Sequence, residues 1–170
     1  MPGGLKPFWR YYGSKWRLAP YYSDPECPTI IEPFAGAAGY SLRHPWYDVI
    51  LIEKYQPLAQ AWKYLTHARP SEIRSIPLVD CIDDLPSWVP QEARWVVGFT
   101  LGASITTPRS YMSAGMVKFR NEGRRTEGWS VAKRERIASQ VEDIRHWKII
   151  EGDYTLAPDI KATWFVDPPY

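Results

Sequence analysis

The stretch from Thr29 to Glu53 constrains the fold more than any other part of the chain. Thr29-Ile30-Ile31-Glu32 is a β-branched run stopped by Pro33, and Asp48-Val49-Ile50-Leu51-Ile52-Glu53 is a second, longer one. Between them lie the small-residue turn Pro33-Phe34-Ala35-Gly36-Ala37-Ala38-Gly39 and a helix expected over residues 39–43. Strand, turn, helix and strand in about 25 residues describe a βαβ unit. Such a crossover is right-handed and makes its two strands parallel. Residues 147–150 and 163–166 read as two more short buried strands. The expected class is therefore α/β, a mostly parallel sheet flanked by helices.

The other elements follow from periodicity and from the 16 prolines that break the chain. Residues 56–65 and 91–102 are predicted helices, the second nearly all apolar from Trp95 to Leu101 and so buried. Ser130 caps a helix expected to run to about His146, with Ile137, Val141 and Ile144 on one face. Residues 5–17 mix aromatics and cations without a period and read as a loop entering a helix near Arg17. Residues 104–128, with three glycines, one proline and no sustained period, read as an inserted loop-rich region. The expected layout is one body formed by residues 1–103 and 137–170, interrupted by residues 104–136.

Composition excludes several classes. At 170 residues, 45% hydrophobic and 24% charged, the chain is an ordinary globular domain rather than a disordered or fibrous one. No apolar run approaches the roughly 18 residues of a membrane span, and Met1-Pro2-Gly3-Gly4 lacks the parts of a signal peptide. A cytoplasmic protein is expected. Cys27 and Cys81 have no CxxC spacing, and His44, His67 and His146 stand alone, so no metal site is expected.

Chemistry is concentrated after the strands. Glu32, Glu53, Asp153 and Asp167 each stand at or just beyond the carboxyl end of a predicted strand, the edge at which open α/β sheets bind ligands. Glu53 follows Gly36 by 17 residues, a spacing suited to an acid that takes ribose hydroxyls beyond a glycine-bearing turn. The turn is not GxGxxG and has no Lys-Ser/Thr pair, so a nucleoside without phosphates fits better than a nucleotide. Charge is uneven. Residues 109–136 carry eight Lys or Arg against three acids, locally +5, whereas residues 71–92 carry five acids against Arg74 alone. Such asymmetry points to a polyanionic partner.

Three blocks carry a family resemblance: Tyr11-Tyr12-Gly13-Ser14-Lys15, Glu32-Pro33-Phe34-Ala35-Gly36-Ala37-Ala38-Gly39, and Asp167-Pro168-Pro169-Tyr170. In order and separation they resemble the aromatic-x-Gly-Gly-Lys, EPFxGxG and DPPY blocks of the Dam-type adenine-N6 DNA methyltransferases, many of them phage-encoded. Between about 66 and 145 the resemblance rests on layout alone. It implies a Rossmann-like fold, S-adenosylmethionine as cofactor and double-stranded DNA as partner. Tyr11, Lys15, Glu32, Phe34, Gly36, Glu53, Asp153 and Asp167 would then line the cofactor. Asp167, Pro168, Pro169 and Tyr170 would form the catalytic motif, and the basic insertion would hold DNA through Arg109, Lys118, Arg120, Arg124 and Arg125.

Ser14 stands where the family has glycine, Glu53 replaces the commoner Asp, and Ala38 occupies the second glycine position, a cheap change where φ is negative. Family members continue past DPPY. The resemblance thus implies a sheet incomplete at its carboxyl end, and either a monomer or a chain complemented by another. Two alternatives stay open: a cofactor- or DNA-binding module, or half of a split enzyme, without catalysis of its own; and cytosine N4 in place of adenine N6.

Overall fold

A computed structural model describes residues 3–123 and 128–168. Four strands, β1 (Thr29–Glu32), β2 (Asp48–Glu53), β3 (Lys148–Glu151) and β4 (Thr163–Trp164), form one sheet in the order β3-β2-β1-β4. Every pairing is parallel, with Ile30 opposite Val49 and Thr163, and Glu53 opposite Glu151. A parallel sheet needs cover on both faces, and the central strands meet that need with Ile30, Ile31, Leu51 and Ile52 all fully buried. From β1 the chain steps outward to β2 and β3, then returns to place β4 on the other side. The direction of winding therefore reverses between β1 and β4, which is where such sheets open a crevice.

Five α-helices occur among the described residues: α1 (Gln56–His67), α2 (Pro70–Ser75), α3 (Gln91–Thr100), α4 (Ala114–Asn121) and α5 (Val131–Gln140). On α1, Leu58, Ala61, Trp62 and Leu65 recur at helical spacing and are fully buried. Its last carbonyls, on His67 and Ala68, are capped by the Arg145 guanidinium at 3.2 and 3.0 Å. The buried run of α3 follows Pro90, and Arg94 on that helix collects the carbonyls of Ile82, Leu85, Pro86 and Val89.

Several expectations change. The helix expected over 39–43 is a single 3₁₀ turn, Ser41–Arg43, stopped short of Pro45. The helix expected near Arg17 is likewise one 3₁₀ turn, Ala19–Tyr21. α5 ends at Gln140 and tightens into a 3₁₀ turn, Val141–Ile144. Three residues per turn keep Val141 and Ile144 eclipsed, and both are fully buried. The region read as a loop contains α4, capped by Ser113, and its Ile105, Met112 and Met116 pack in the same core as the sheet and helices.

The N-terminal segment is irregular, as read, yet it is deeply seated. Phe8 and Trp9 are buried and pile against Trp62 and Phe99, with Trp9 centred 5.0 Å from Trp62 and 5.2 Å from Phe99. Gly39, in the β1 turn, lets this segment come close. A Cβ on Gly39 would sit 2.6 Å from the Trp16 nitrogen, so only glycine lets the two backbones meet. Ala38 lies at φ +50°, contrary to the negative φ under which alanine is cheap. The left-handed conformation costs about 1–2 kcal/mol for an L residue. Its methyl is fully buried, which returns about 0.8 kcal/mol.

Gly39→Ala should cost about 1–3 kcal/mol, the usual range for overpacking, because the obstructing atoms are main chain and not a movable side chain. Urea unfolding of the variant measures this, and an unchanged midpoint would refute the close-approach argument.

Candidate functional site

The carboxyl edge of the sheet opens into a cavity of about 660 Å³. Its floor is the turn after β1. Ala35 N–H donates to the Ile52 carbonyl at 3.0 Å, tying the turn to β2. Gly36 is then held from two sides: its N–H donates to Glu53 Oε2 at 3.1 Å, and its carbonyl accepts from Trp62 Nε1 at 2.8 Å. Gly36 has φ +48°, and a Cβ there would lie 3.3 Å from the Tyr11 ring. The ring therefore covers the glycine as a wall of the cavity. Burial, helped by the Glu53 charge, pushes the Tyr11 phenol up to about 12, so it stays neutral.

Four carboxylates border this space, each with its own arrangement. Glu53 also accepts the Tyr55 N–H, on Oε1, at 2.9 Å. Burial raises its pKa, and the N–H groups of Tyr55 and Gly36 oppose the rise. A carboxylate has about four lone-pair sites, so each oxygen can still accept a ligand hydroxyl. Glu32 is 2% exposed and accepts the Ser41 N–H on Oε1 at 2.8 Å. Burial lifts it to about 7 despite the main-chain bond from Ser41, and the nearby Asp167 adds to the rise. Asp167 meets Lys15 Nζ at 2.7 Å with both side chains largely covered, and Lys15 also donates to the Gly13 carbonyl at 3.0 Å. Asp153 accepts from the Thr155 N–H and from Lys54, each at 3.3 Å, and is held below the usual carboxylate range, first by the Thr155 bond. Beside it the Phe34 and Tyr154 rings lie 5.4 Å apart and tilted, with Tyr154 half exposed.

All eight residues expected to line a cofactor, Tyr11, Lys15, Glu32, Phe34, Gly36, Glu53, Asp153 and Asp167, border this one cavity, and so does Pro168. Pro169 and Tyr170 lie outside the described residues. None of the expected DNA contacts among the described residues reaches the cavity. Arg109 is exposed, and Lys118 stands 4.0 Å from Glu122 one turn along α4. Arg120 is committed to Asp80 by two bonds, at 2.5 and 2.9 Å. Arg124 and Arg125 lie outside the described residues. The acidic and basic segments thus meet each other in the fold, at Asp80–Arg120 and at Arg74–Glu135. The Asp80–Arg120 pair satisfies part of the charge asymmetry internally, whereas Arg74–Glu135 joins the minority charge of each segment and leaves the asymmetry as it was.

Sequence reasoning missed Trp62, Thr106 and Tyr154. On the apolar face of α1, Trp62 looks like any core aromatic. Thr106 reaches the cavity because Tyr11 bridges Ile105, a pairing across more than ninety positions that leaves no local trace. Tyr154 did carry a signal, as an aromatic directly after a carboxylate at a strand end. Among the described residues no group of three His, Cys, Asp or Glu is placed to hold a metal, and no helix is long and apolar enough to cross a membrane. No protein-family model and no curated protein sequence matches the chain.

Two outcomes follow from this geometry. Trp62→Phe leaves the Gly36 carbonyl without its donor and should lower stability by about 1–3 kcal/mol in chemical denaturation. Glu32 gives a pH dependence. Between its ordinary 4.5 and about 7 the folded chain keeps a proton that the unfolded chain has released. The stability this contributes is full below 4.5 and lost as pH rises through 7, roughly 3 kcal/mol over the window. Glu32→Gln should therefore gain on the parent from pH 5 to 7 in thermal unfolding and level off above that, and parallel profiles would contradict the assignment.

Proposed function

We propose that the chain is an S-adenosylmethionine-dependent DNA methyltransferase unit of the Dam type, directed at N6 of adenine in double-stranded DNA. One observation carries the reading. Residues 11–15, 32–39 and 167–168, far apart in sequence, converge on a single cavity at the point where the sheet reverses its winding.

The lining suits that cofactor. A cavity of about 660 Å³ lies within the usual range for small-molecule sites. Glu53 and Asp153 offer acceptors for hydroxyl and amino groups, and Phe34 and Tyr154 offer flat faces for a purine. The edge carries Glu53, Asp153, Asp167 and a largely neutralised Glu32 against Lys15 and Lys54, a balance still negative that favours a cationic, phosphate-free nucleoside over a nucleotide. When bound, S-adenosylmethionine supplies an activated methyl group.

The protein's own contribution is then acceptance and alignment. An adenine amino nitrogen is a poor nucleophile, its lone pair delocalised into the ring, and in a duplex it is paired, so the base must be extruded first. Asp167 and the Pro168 carbonyl would accept the two amino hydrogens, favouring a pyramidal nitrogen and stabilising the positive charge that develops there. Lys15 holds Asp167 through Oδ2, fixing the carboxylate at the cavity edge. Alignment of two bound reactants supplies much of the remaining acceleration.

Calorimetric titration with S-adenosylmethionine tests the reading. Saturable one-to-one binding is expected, weakened at least tenfold by Glu53→Ala, since charge-assisted hydrogen bonds are worth about 1.5–3 kcal/mol. A folded chain that binds no cofactor would sink the proposal. Incubation with duplex DNA and identification of the modified nucleoside then separates adenine N6 from cytosine N4 and from a module without turnover.

A further inference from the structure

The aromatic side chains that border the cavity differ in what they do for the fold. The Tyr11 ring covers Gly36 and lies 6.4 Å from Phe99 in the core. Phe165 stacks on Tyr40 with ring centres 4.6 Å apart, and Phe34 pairs with Tyr154 beside Asp153. Tyr12 borders the same cavity, yet it is 67% exposed and stands outside the core cluster. Its main chain, by contrast, is fixed. Residues 11–14 form a turn closed by the Ser14 N–H on the Tyr11 carbonyl at 3.2 Å, and the Tyr12 N–H donates to the Ile105 carbonyl at 3.3 Å. Gly13, third in that turn, has φ +75°, a conformation that favours glycine. A Cβ on Gly13 would meet nothing within 4 Å, so the tip of the turn stands clear of the other described residues.

We propose that the Tyr12 ring is a face on which the extruded base stacks. This rests on the methyltransferase reading above and assigns a role to the unspecified position of the N-terminal block, about which the resemblance says nothing. The juxtaposition that carries it runs through one atom. Lys15 Nζ donates to the Gly13 carbonyl at 3.0 Å and meets Asp167 Oδ2 at 2.7 Å. The turn that displays Tyr12 is thereby tied to the carboxylate that would accept the adenine amino group. At the other end of the cavity Phe34 and Tyr154 already offer flat faces beside Asp153. Two purines would share this space, and Tyr12 supplies an aromatic face to the one at the Asp167 end. Stacking gives affinity to any base, while the hydrogen bonds at Asp167 give it orientation. A tyrosine on a fixed turn has only two side-chain torsions left to order when it takes up a planar partner.

Fluorescence anisotropy with two labelled DNA duplexes, one fully paired and one carrying a single unpaired adenine, tests the contact in the presence of S-adenosylhomocysteine, which has no methyl group to transfer. An unpaired base spares much of the cost of extrusion, so the parent chain should prefer the second duplex. Tyr12→Ala should weaken binding to that duplex about five- to a hundredfold, the range for alanine at base-stacking aromatics, and leave the fully paired duplex unaffected. Tyr12→Phe keeps the ring and should keep the preference. Equal affinities of parent and Tyr12→Ala for the unpaired adenine overturn the proposal, and so does an equal loss on both duplexes. A fall in S-adenosylmethionine affinity in Tyr12→Ala, read by calorimetry, would put the ring on the cofactor and overturn it as well. A parent chain that binds cofactor without preferring the unpaired adenine ends this proposal alone, whereas one that binds no cofactor ends the methyltransferase reading with it.

Discussion

Gly36 has neither polar group to spare: its N–H points at Glu53 and its carbonyl at the Trp62 indole. These two bonds join three layers of the molecule. Trp62 belongs to α1 and to the aromatic pile that seats Phe8 and Trp9, Glu53 ends β2, and Gly36 itself lies in the turn leaving β1. A carboxylate poised for a ligand, a buried aromatic core and an irregular N-terminal segment thus share one peptide as their common reference. Movement of any of them would be felt at the cavity floor, because interiors packed this closely transmit displacement and do not absorb it.

The same edge of the sheet has to accommodate four acids without mutual repulsion undoing it, and it solves the problem differently at each. Glu32 gives up much of its charge through burial, Glu53 is stabilised by main-chain N–H groups, Asp153 by Thr155 and a lysine near solvent, and Asp167 by a largely covered lysine. The result is a rim whose charge is spread unevenly. The Asp167 end is close to neutral and sheltered, whereas the Asp153 end stays anionic and wet. A ligand lying across it would meet two different dielectric settings, with electrostatic contacts stronger at the dry end.

What the sequence revealed divides along physical lines. β1 and β2 were legible to the residue, because a β-branched run between turn residues leaves little choice, and β3 was displaced by a single position. β4 proved shorter than its apolar run: Phe165 still bonds to Ile31, but Val166 turns out to solvent. α1 and α3 carried clear apolar faces. α2 and α4 did not: each buries a single side chain, Ile73 and Met116, too little to impose a period. The strand-end acids could be found because parallel topology sends every strand end to the same edge. Trp62 and Thr106 could not, since their roles depend on partners far along the chain. The basic segment misled in part, because Arg120 had an acidic neighbour that only the fold supplies.

The placement of β4 beside β1 has a consequence in time. Ile30 pairs with Thr163, and Lys15 reaches Asp167. The central strand and the N-terminal block therefore lack one of their flanks until nearly all of this sequence has been synthesised. At about 5–20 residues per second, a ribosome exposes an unpaired β1 margin for several seconds. Contacts of such long sequence separation also slow the final search. Within this stretch of chain the ligand cavity is thus complete only once Asp167 has been made and brought against Lys15.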